Sequence, residues 1–401
     1  METTTYKISD IGEVVGGGTP STANNDFWGG DIPWISPKDL TGYKSVYISH
    51  GESFLTKTGL KSGTKLLPKD TVLFSSRAPI GYVAIASNPI CTNQGFKSII
   101  CNKEIINPLF LYYYIKGNLD YIKLFGTGAT FPEISGAAMR KIKVQIPTLP
   151  TQQKISSILS TYDRLIENNT RRIRLLEQMA ENLYKEWFVR FRFPEHENVE
   201  IVNGLPKGWE RTKLIKNIKT SSGGTPSRNK GEYYKNGTIP WIKTGELQDC
   251  ILINTEECIT EDAVKNSSAK LFPKGTLLMA MYGVNVGKLG ISEIEATCNQ
   301  ACCVFTPKHI DYRYYLFHYL KSIREYLLSI SFGAAQQNLS QELIKSIRVL
   351  FPDEETNISF VKEVQPLFKE ISIIQQQNQL LTRQRDLLLP RLMSGKLEVK
   401  S

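Results

Sequence analysis

DIPWISPKDL at residues 31–40 and TIPWIKTGEL at 238–247 are two versions of one phrase, and that repetition decides how the chain is built. The surrounding sequence repeats with it at a spacing of 205 to 207 residues. GGTPS at 17–21 returns at 223–227, and KLLPKDTVLF (65–74) returns as KLFPKGTLLM (270–279). Asn93-Gln94 matches Asn299-Gln300, FGTGATFPEIS (125–135) corresponds to FGAAQQNLS (332–340), and KIKVQIP (141–147) to SIRVLFP (346–352). A chain of 401 residues exceeds what one hydrophobic core supports, so the repeat predicts two copies of one domain, at 1–148 and 209–352. Within each copy, short runs rich in Val, Ile, Tyr and Phe between Gly, Pro, Asn and Asp predict strands and turns. The stretches FLYYYIKGNLDYI (110–122) and YRYYLFHYLKSIREYLL (312–328) predict helices whose aromatic face packs on a sheet.

Each copy is followed by a long helical segment, 149–193 and 353–401. Ile155, Leu159, Tyr162, Ile166, Asn169, Ile173, Leu176, Ala180, Leu183 and Trp187 are spaced 4-3-4-3, a heptad seam. Adding 205 to each gives a second seam: Phe360, Val364, Leu367, Ile371, Ile374, Asn378, Leu381, Arg385, Leu388 and Leu392. A helix from Thr151 to Phe188 would be roughly 55 Å long. Two such helices bury their seams most simply against each other. The expected fold class is therefore α+β: two homologous mixed α/β domains joined by two antiparallel coiled-coil helices about a pseudo-two-fold axis. Asn169 is expected opposite Asn378, one polar pair that fixes register. Pro366 and Pro390 interrupt the second run, so that helix is expected to start or bend near Pro366. The linker 194–208 holds an Asn203-Gly204 turn, and the apolar Trp187, Phe188 and Leu392 are candidates for docking partners.

The net charge of +10 is compatible with a polyanionic partner. The excess is divided, +4 over 1–148 and +6 over 206–352, which suits two binding faces better than one basic tail. No apolar run is long enough to span a membrane, and METTTYKISD lacks the layout of a secretory signal. Seven scattered cysteines fit a reducing cytoplasm, and Cys298, Cys302 and Cys303 lack zinc-site spacing, which predicts buried residues and no metal. Intrinsic catalysis finds no support. NPLF (107–110) lacks the second proline of an adenine methyltransferase motif, and GVNVGKL (283–289) is too short and lacks the Ser or Thr of a P-loop. No HExxH occurs, and Pro352-Asp353-Glu354-Glu355 lacks the strand context of a nuclease.

The duplicated frame, GGTPS, IPWI, LYKEWF (183–188) and LLLPRLMSGKLEV (387–399) together resemble the specificity subunits of type I restriction–modification systems, over essentially the whole chain. That resemblance implies two target recognition domains, each reading one half of a bipartite sequence in double-stranded DNA. It implies helices that set the gap between the halves and dock two modification (methyltransferase) subunits, with restriction/translocase subunits joining them. The chain itself would be non-catalytic. S-adenosylmethionine, ATP and Mg2+ would be used by other subunits. The alternatives are a scaffold that reads no DNA, a silent cassette, or a reader for another methylation-based defence complex.

Two reading heads on one chain are free to diverge, so positions where the shared frame carries different residues are candidate readers. Ser36-Pro37-Lys38-Asp39 opposes Lys243-Thr244-Gly245-Glu246, and Ser75-Ser76-Arg77 opposes Ala280-Met281-Tyr282. Arg and Lys suit guanine, and Asp and Glu suit cytosine. The candidates are Lys38, Asp39, Ser76 and Arg77 in the first copy, and Lys243, Glu246, Tyr282 and Asn285 in the second. Thr19, Ser21, Thr225 and Ser227 are candidate phosphate contacts, although the GGTPS loops read first as tight glycine turns.

Overall fold

The computed structural model describes residues 2–128, 130, 132–330 and 338–399. The chain divides into two compact units, one formed by 1–168 with 378–401 and the other by 169–377. Each unit holds one copy of the repeat together with part of each long helix.

The two copies have the same strand topology. In the first, a five-stranded sheet runs in the order Gly12–Gly16, Lys97–Cys101, Val72–Ser76, Ile80–Ala86, Tyr47–Ile48. A three-stranded sheet places Trp28–Ile35 between Ser53–Leu55 and Cys91–Thr92, so the IPWI phrase is a central strand. Thr4–Lys7 pairs antiparallel with Lys143–Ile146 and closes the copy. The second copy repeats every step. Its larger sheet is ordered Ile218–Ser222, Cys302–Pro307, Leu277–Ala280, Leu289–Ser292, Cys250–Leu252. Its IPWI strand, Ile239–Ile242, lies between Cys258–Ile259 and Thr297–Cys298, and Glu210–Lys213 pairs with Arg348–Phe351. The tyrosine-rich helices Pro108–Gly117 and Arg313–Ser322 bury their rings in the cores, as the aromatic stripe predicts.

The first long helix spans Leu149–Tyr184 and continues into a π turn, Lys185–Val189, in which Arg190 N–H donates to Lys185 O at 3.0 Å. The second spans Glu354–Met393 without interruption. It starts twelve residues before Pro366, which corrects the expected start. Asp353 sets that start by accepting from Thr356 N–H at 2.9 Å and from the Thr356 hydroxyl at 2.7 Å. Upstream of the proline, Phe360 and Val364 are completely buried, and burial of that size offsets the roughly 3 kcal/mol a helical proline costs. The cap also accounts for the Asp353-Glu354-Glu355 cluster, whose acids sit on the first turn, at the positive end of the helix dipole.

All ten positions of each seam are buried or half-buried. In the second unit the pairing runs antiparallel: Arg172 bonds Glu370 at 2.9 Å, and the Trp187 ring lies 5.7 Å from that of Phe360. In the first unit Asp163 meets Arg385 at 2.5 Å, and Ile155 and Leu159 share a core with Leu392. That pairing is antiparallel too. The linker forms a small hairpin, Ile201–Val202 with Leu205–Pro206. Asn203 (φ 52°) and Gly204 (φ 77°) supply the two left-handed residues such a turn requires.

Candidate nucleic-acid interface

The GGTPS loops leave the first strand of each larger sheet and press against neighbouring backbone. A Cβ on Gly17 would lie 2.0 Å from Asn93 O, and one on Gly18 would lie 1.8 Å from Gly63 O. Gly223 and Gly224 are equally confined, against Cys298 O at 1.9 Å and Ser268 C at 2.3 Å. The glycines therefore answer to close approach, and none of the four has a positive φ, which corrects the tight-turn reading. Trp34 Nε1 donates to Gly18 O and Trp241 Nε1 to Gly224 O, each at 3.0 Å. Thr19 donates its hydroxyl to Gln94 Oε1, and Thr225 donates to Gln300 Oε1. Those hydroxyls are engaged within the fold. Ser21 and Ser227 are exposed beside them and remain the freer candidates for a phosphate. The glutamines of the repeated Asn-Gln pair are structural partners that the sequence marked only as a repeat.

The turn after each IPWI strand is organised by its carboxylate. Asp39 Oδ2 accepts from Ser36 N–H and Oγ–H, both at 2.7 Å, while Oδ1 accepts from Glu52 N–H at 2.8 Å. Glu246 repeats the arrangement, accepting from Lys243 N–H and Glu256 N–H at 2.7 Å each. Both carboxylates are spent on holding the turn to the segment that enters the strand paired with IPWI, so the turn positions other side chains. Lys38 is exposed and pairs with Glu52 at 2.9 Å. Lys243 bonds Glu256 at 2.8 Å and Glu257 at 3.2 Å. Arg228, absent from the sequence candidates, also bonds Glu257 at 2.8 Å and lies over the ring of Tyr234 at 4.2 Å.

The hairpin joining the third and fourth strands of each larger sheet carries the remaining candidates. Ser76 is completely buried and donates to Gly95 O at 3.1 Å, which removes it from the readers. Arg77, next along, is partly exposed and lies 3.4 Å from Glu133, which also holds Lys97 at 3.2 Å. Arg77, Pro79, Ile80, Lys123 and Glu133 line a cleft of about 680 Å³. Two cations, Arg77 and Lys123, line it with the carboxylate of Glu133, a surface suited to a base edge beside phosphates. Glu133 was not foreseen, because its partners lie 36 and 56 residues away. Ala129 and Phe131 of FGTGATFPEIS, and most of its counterpart (332–337), lie outside the described residues. In the second copy Tyr282 is exposed, and Asn285 Nδ2 donates to Thr244 O at 3.0 Å and Gly245 O at 3.1 Å, fastening the hairpin to the turn.

The docking candidates are corrected by burial. Trp187 and Phe188 sit in the second unit's core, where the Phe188 ring lies 4.7 Å from Phe360 and 4.8 Å from Tyr315. Leu392 is buried in the first unit's core. Asn169 is buried and Asn378 half-buried, at the two points where the helices pass from one unit to the other.

Two copies of one domain, with unlike hairpin tips, on a chain with two long helices define a duplicated recognition protein. A family model described as the type I restriction modification DNA specificity domain matches residues 1–178 and again 206–383, and the chain belongs to that family. The specificity subunit of the type I restriction enzyme MjaIX from Methanocaldococcus jannaschii is 36% identical over 405 residues, covering 98% of this chain and 93% of that protein. The HindI specificity subunit of Haemophilus influenzae is 26% identical over 404 residues, covering 83% of this chain and 88% of its own length. The crystal structure of a type I restriction-modification S subunit from M. genitalium shares the fold, with a TM-score of 0.64 at 16% identity, over 100% of this chain and 97% of that one.

Proposed function

We propose that this chain is the sequence-reading subunit of a type I restriction–modification complex, each copy reading one half of a bipartite DNA site. The observation that carries this is that the DNA specificity domain matches twice, once on each copy, while the two hairpin tips differ in chemistry. In this reading the chain is non-catalytic and cytoplasmic, and other subunits handle S-adenosylmethionine, ATP and Mg2+. Phosphate contacts from the basic surfaces supply affinity, and the tips supply base choice. The helices set the gap between the half-sites, as the spacing of two heads along a duplex requires.

The modification subunits dock on exposed helix positions, in place of the buried Trp187, Phe188 and Leu392. Leu175 in the second unit and Leu380 in the first are equivalent under the 205-residue repeat and are 55% and 60% exposed. Met179 and Leu387 extend these two sites along the same helices. Two equivalent apolar sites suit two copies of one partner. The test is selection from a randomised duplex pool by the chain assembled with its modification subunits. Enrichment of two short blocks at fixed spacing, lost steeply with salt, is expected; an assembled complex that enriches nothing refutes the reading. Leu175→Asp and Leu380→Asp should each remove one modification subunit, measured by mass in solution.

A further inference from the structure

We propose that the hairpin tip Tyr282–Gly283–Val284 is an apolar DNA contact in which Val284 reads a thymine through its 5-methyl group; this rests on the DNA-reading function above. Val284 is 100% exposed and Tyr282 is 40% exposed, at the apex between strands Leu277–Ala280 and Leu289–Ser292. A valine with no cover contributes nothing to the core.

The base of this apex is firmly held. Gly283 (φ 82°) and Gly287 (φ 77°) bend it, and Asn285 ties it to the Thr244-Gly245 turn. Arg324 Nε donates to Gly287 O at 2.9 Å. Arg324 also pairs with Asp249, which accepts from Leu289 N–H at 3.0 Å and lies 3.7 Å from Lys288. A fixed base under a bare apolar apex is preorganised for a partner.

Charge identifies that partner. Lys288 and Arg324 share the carboxylate of Asp249, so the base beneath the apex carries an excess of positive charge. A cationic base under an apolar point fits a polyanion that displays an apolar group. Duplex DNA displays one methyl group in its major groove, on thymine. The corresponding hairpin of the first copy carries Arg77, whose guanidinium suits guanine. The two tips therefore read bases by different chemistry.

The test uses the chain assembled with its modification subunits and the duplex that the complex selects. Each thymine of the second half-site is replaced in turn by deoxyuridine, which lacks only that methyl. One replacement is expected to weaken wild-type binding about 4-fold, the worth of one apolar carbon. The same replacement should leave binding by the Val284→Ser complex unchanged, and that variant should keep the first half-site and the gap. Tyr282→Ala should weaken the second half-site alone. The contact is overturned by a second half-site without an A·T pair, by no sensitive thymine, or by a deoxyuridine penalty that persists in Val284→Ser. A wild-type complex that selects no half-sites at all overturns the reading function itself, which is a distinct result.

Discussion

Beneath the tyrosine-rich helices, the two units place opposite chemistry on the same backbone. In the first unit the Tyr113 hydroxyl donates to Asp163, and Asp163 accepts from Arg385 Nη1 at 2.5 Å. Shifted by the 205-residue repeat, Tyr113 and Asp163 become His318 and Phe368, and Arg385 corresponds to Ala180. His318 stacks on Tyr184 at 5.5 Å and meets Phe368 edge-on at 6.0 Å, and among the described residues neither of its ring nitrogens has a hydrogen-bond partner. His318, Phe368 and Ala180 together line a cavity of about 50 Å³. A buried ion pair adds little net stability, but breaking it is costly. Its consequence lies in pairing. The first unit needs a helix segment that brings a cation to Asp163. The second needs a small residue beside two large rings, and a guanidinium there would meet no carboxylate at the equivalent position. The seams are alike in period and distinct in partner choice.

Trp187→Ala puts the greatest strain on this comparison. It should cost about 3–5 kcal/mol, confined to the second unit, and hydrogen exchange on the intact chain would show that unit opening first. Unchanged exchange with loss of assembly alone would return Trp187 to a docking face. Arg385→Ala should cost the first unit about 3–5 kcal/mol, because the charge of Asp163 is left buried. Adding Asp163→Leu should restore much of the loss; a double mutant with additive losses would mean the pair is not coupled. Arg77→Ala should cost about 1–3 kcal/mol of discrimination at one base of one half-site, and a uniform loss over all sequences would make it a phosphate contact.

The smallest effect expected, taken over a single pH unit, is a dependence on pH. Burial pushes His318 down from an ordinary value of 6.5 to about 3, with the nearby Lys321 acting in the same direction. Between those values the unfolded chain binds a proton that the folded chain does not. The second unit should therefore lose stability as pH falls below 6.5, by at most about 1.4 kcal/mol per pH unit. His318→Phe should abolish that slope in thermal melts of the intact chain. Tyr113, its counterpart, is held neutral by burial that raises its phenol, so it adds no such slope to the first unit. A slope equal in wild type and His318→Phe would contradict the assignment.

The repeat, the seams and the Asn203-Gly204 turn were legible in the sequence because each is a periodic or local signal. Other features depend on what lies across the fold. The carboxylates of Asp39 and Glu246 look like readers until the Glu52 and Glu256 amides are seen to occupy them. Local propensity places a helix start at Pro366, yet the Asp353 cap and the burial of Phe360 override it. Trp187, Phe188 and Leu392 are plainly apolar in sequence, but only packing shows that they are covered from within. Val284 escapes notice in the sequence because GVNVGKL is weighed there against a P-loop. Its significance is its complete exposure at a fastened tip, which sequence pattern does not encode.

The central claim is that one chain carries two heads reading two different half-sites. Methylation-aware sequencing of DNA from cells expressing this chain with its modification subunits tests it most directly. One split motif is expected, two short unlike blocks separated by a fixed gap. A single continuous motif, or no new methylation with every subunit present, would contradict it.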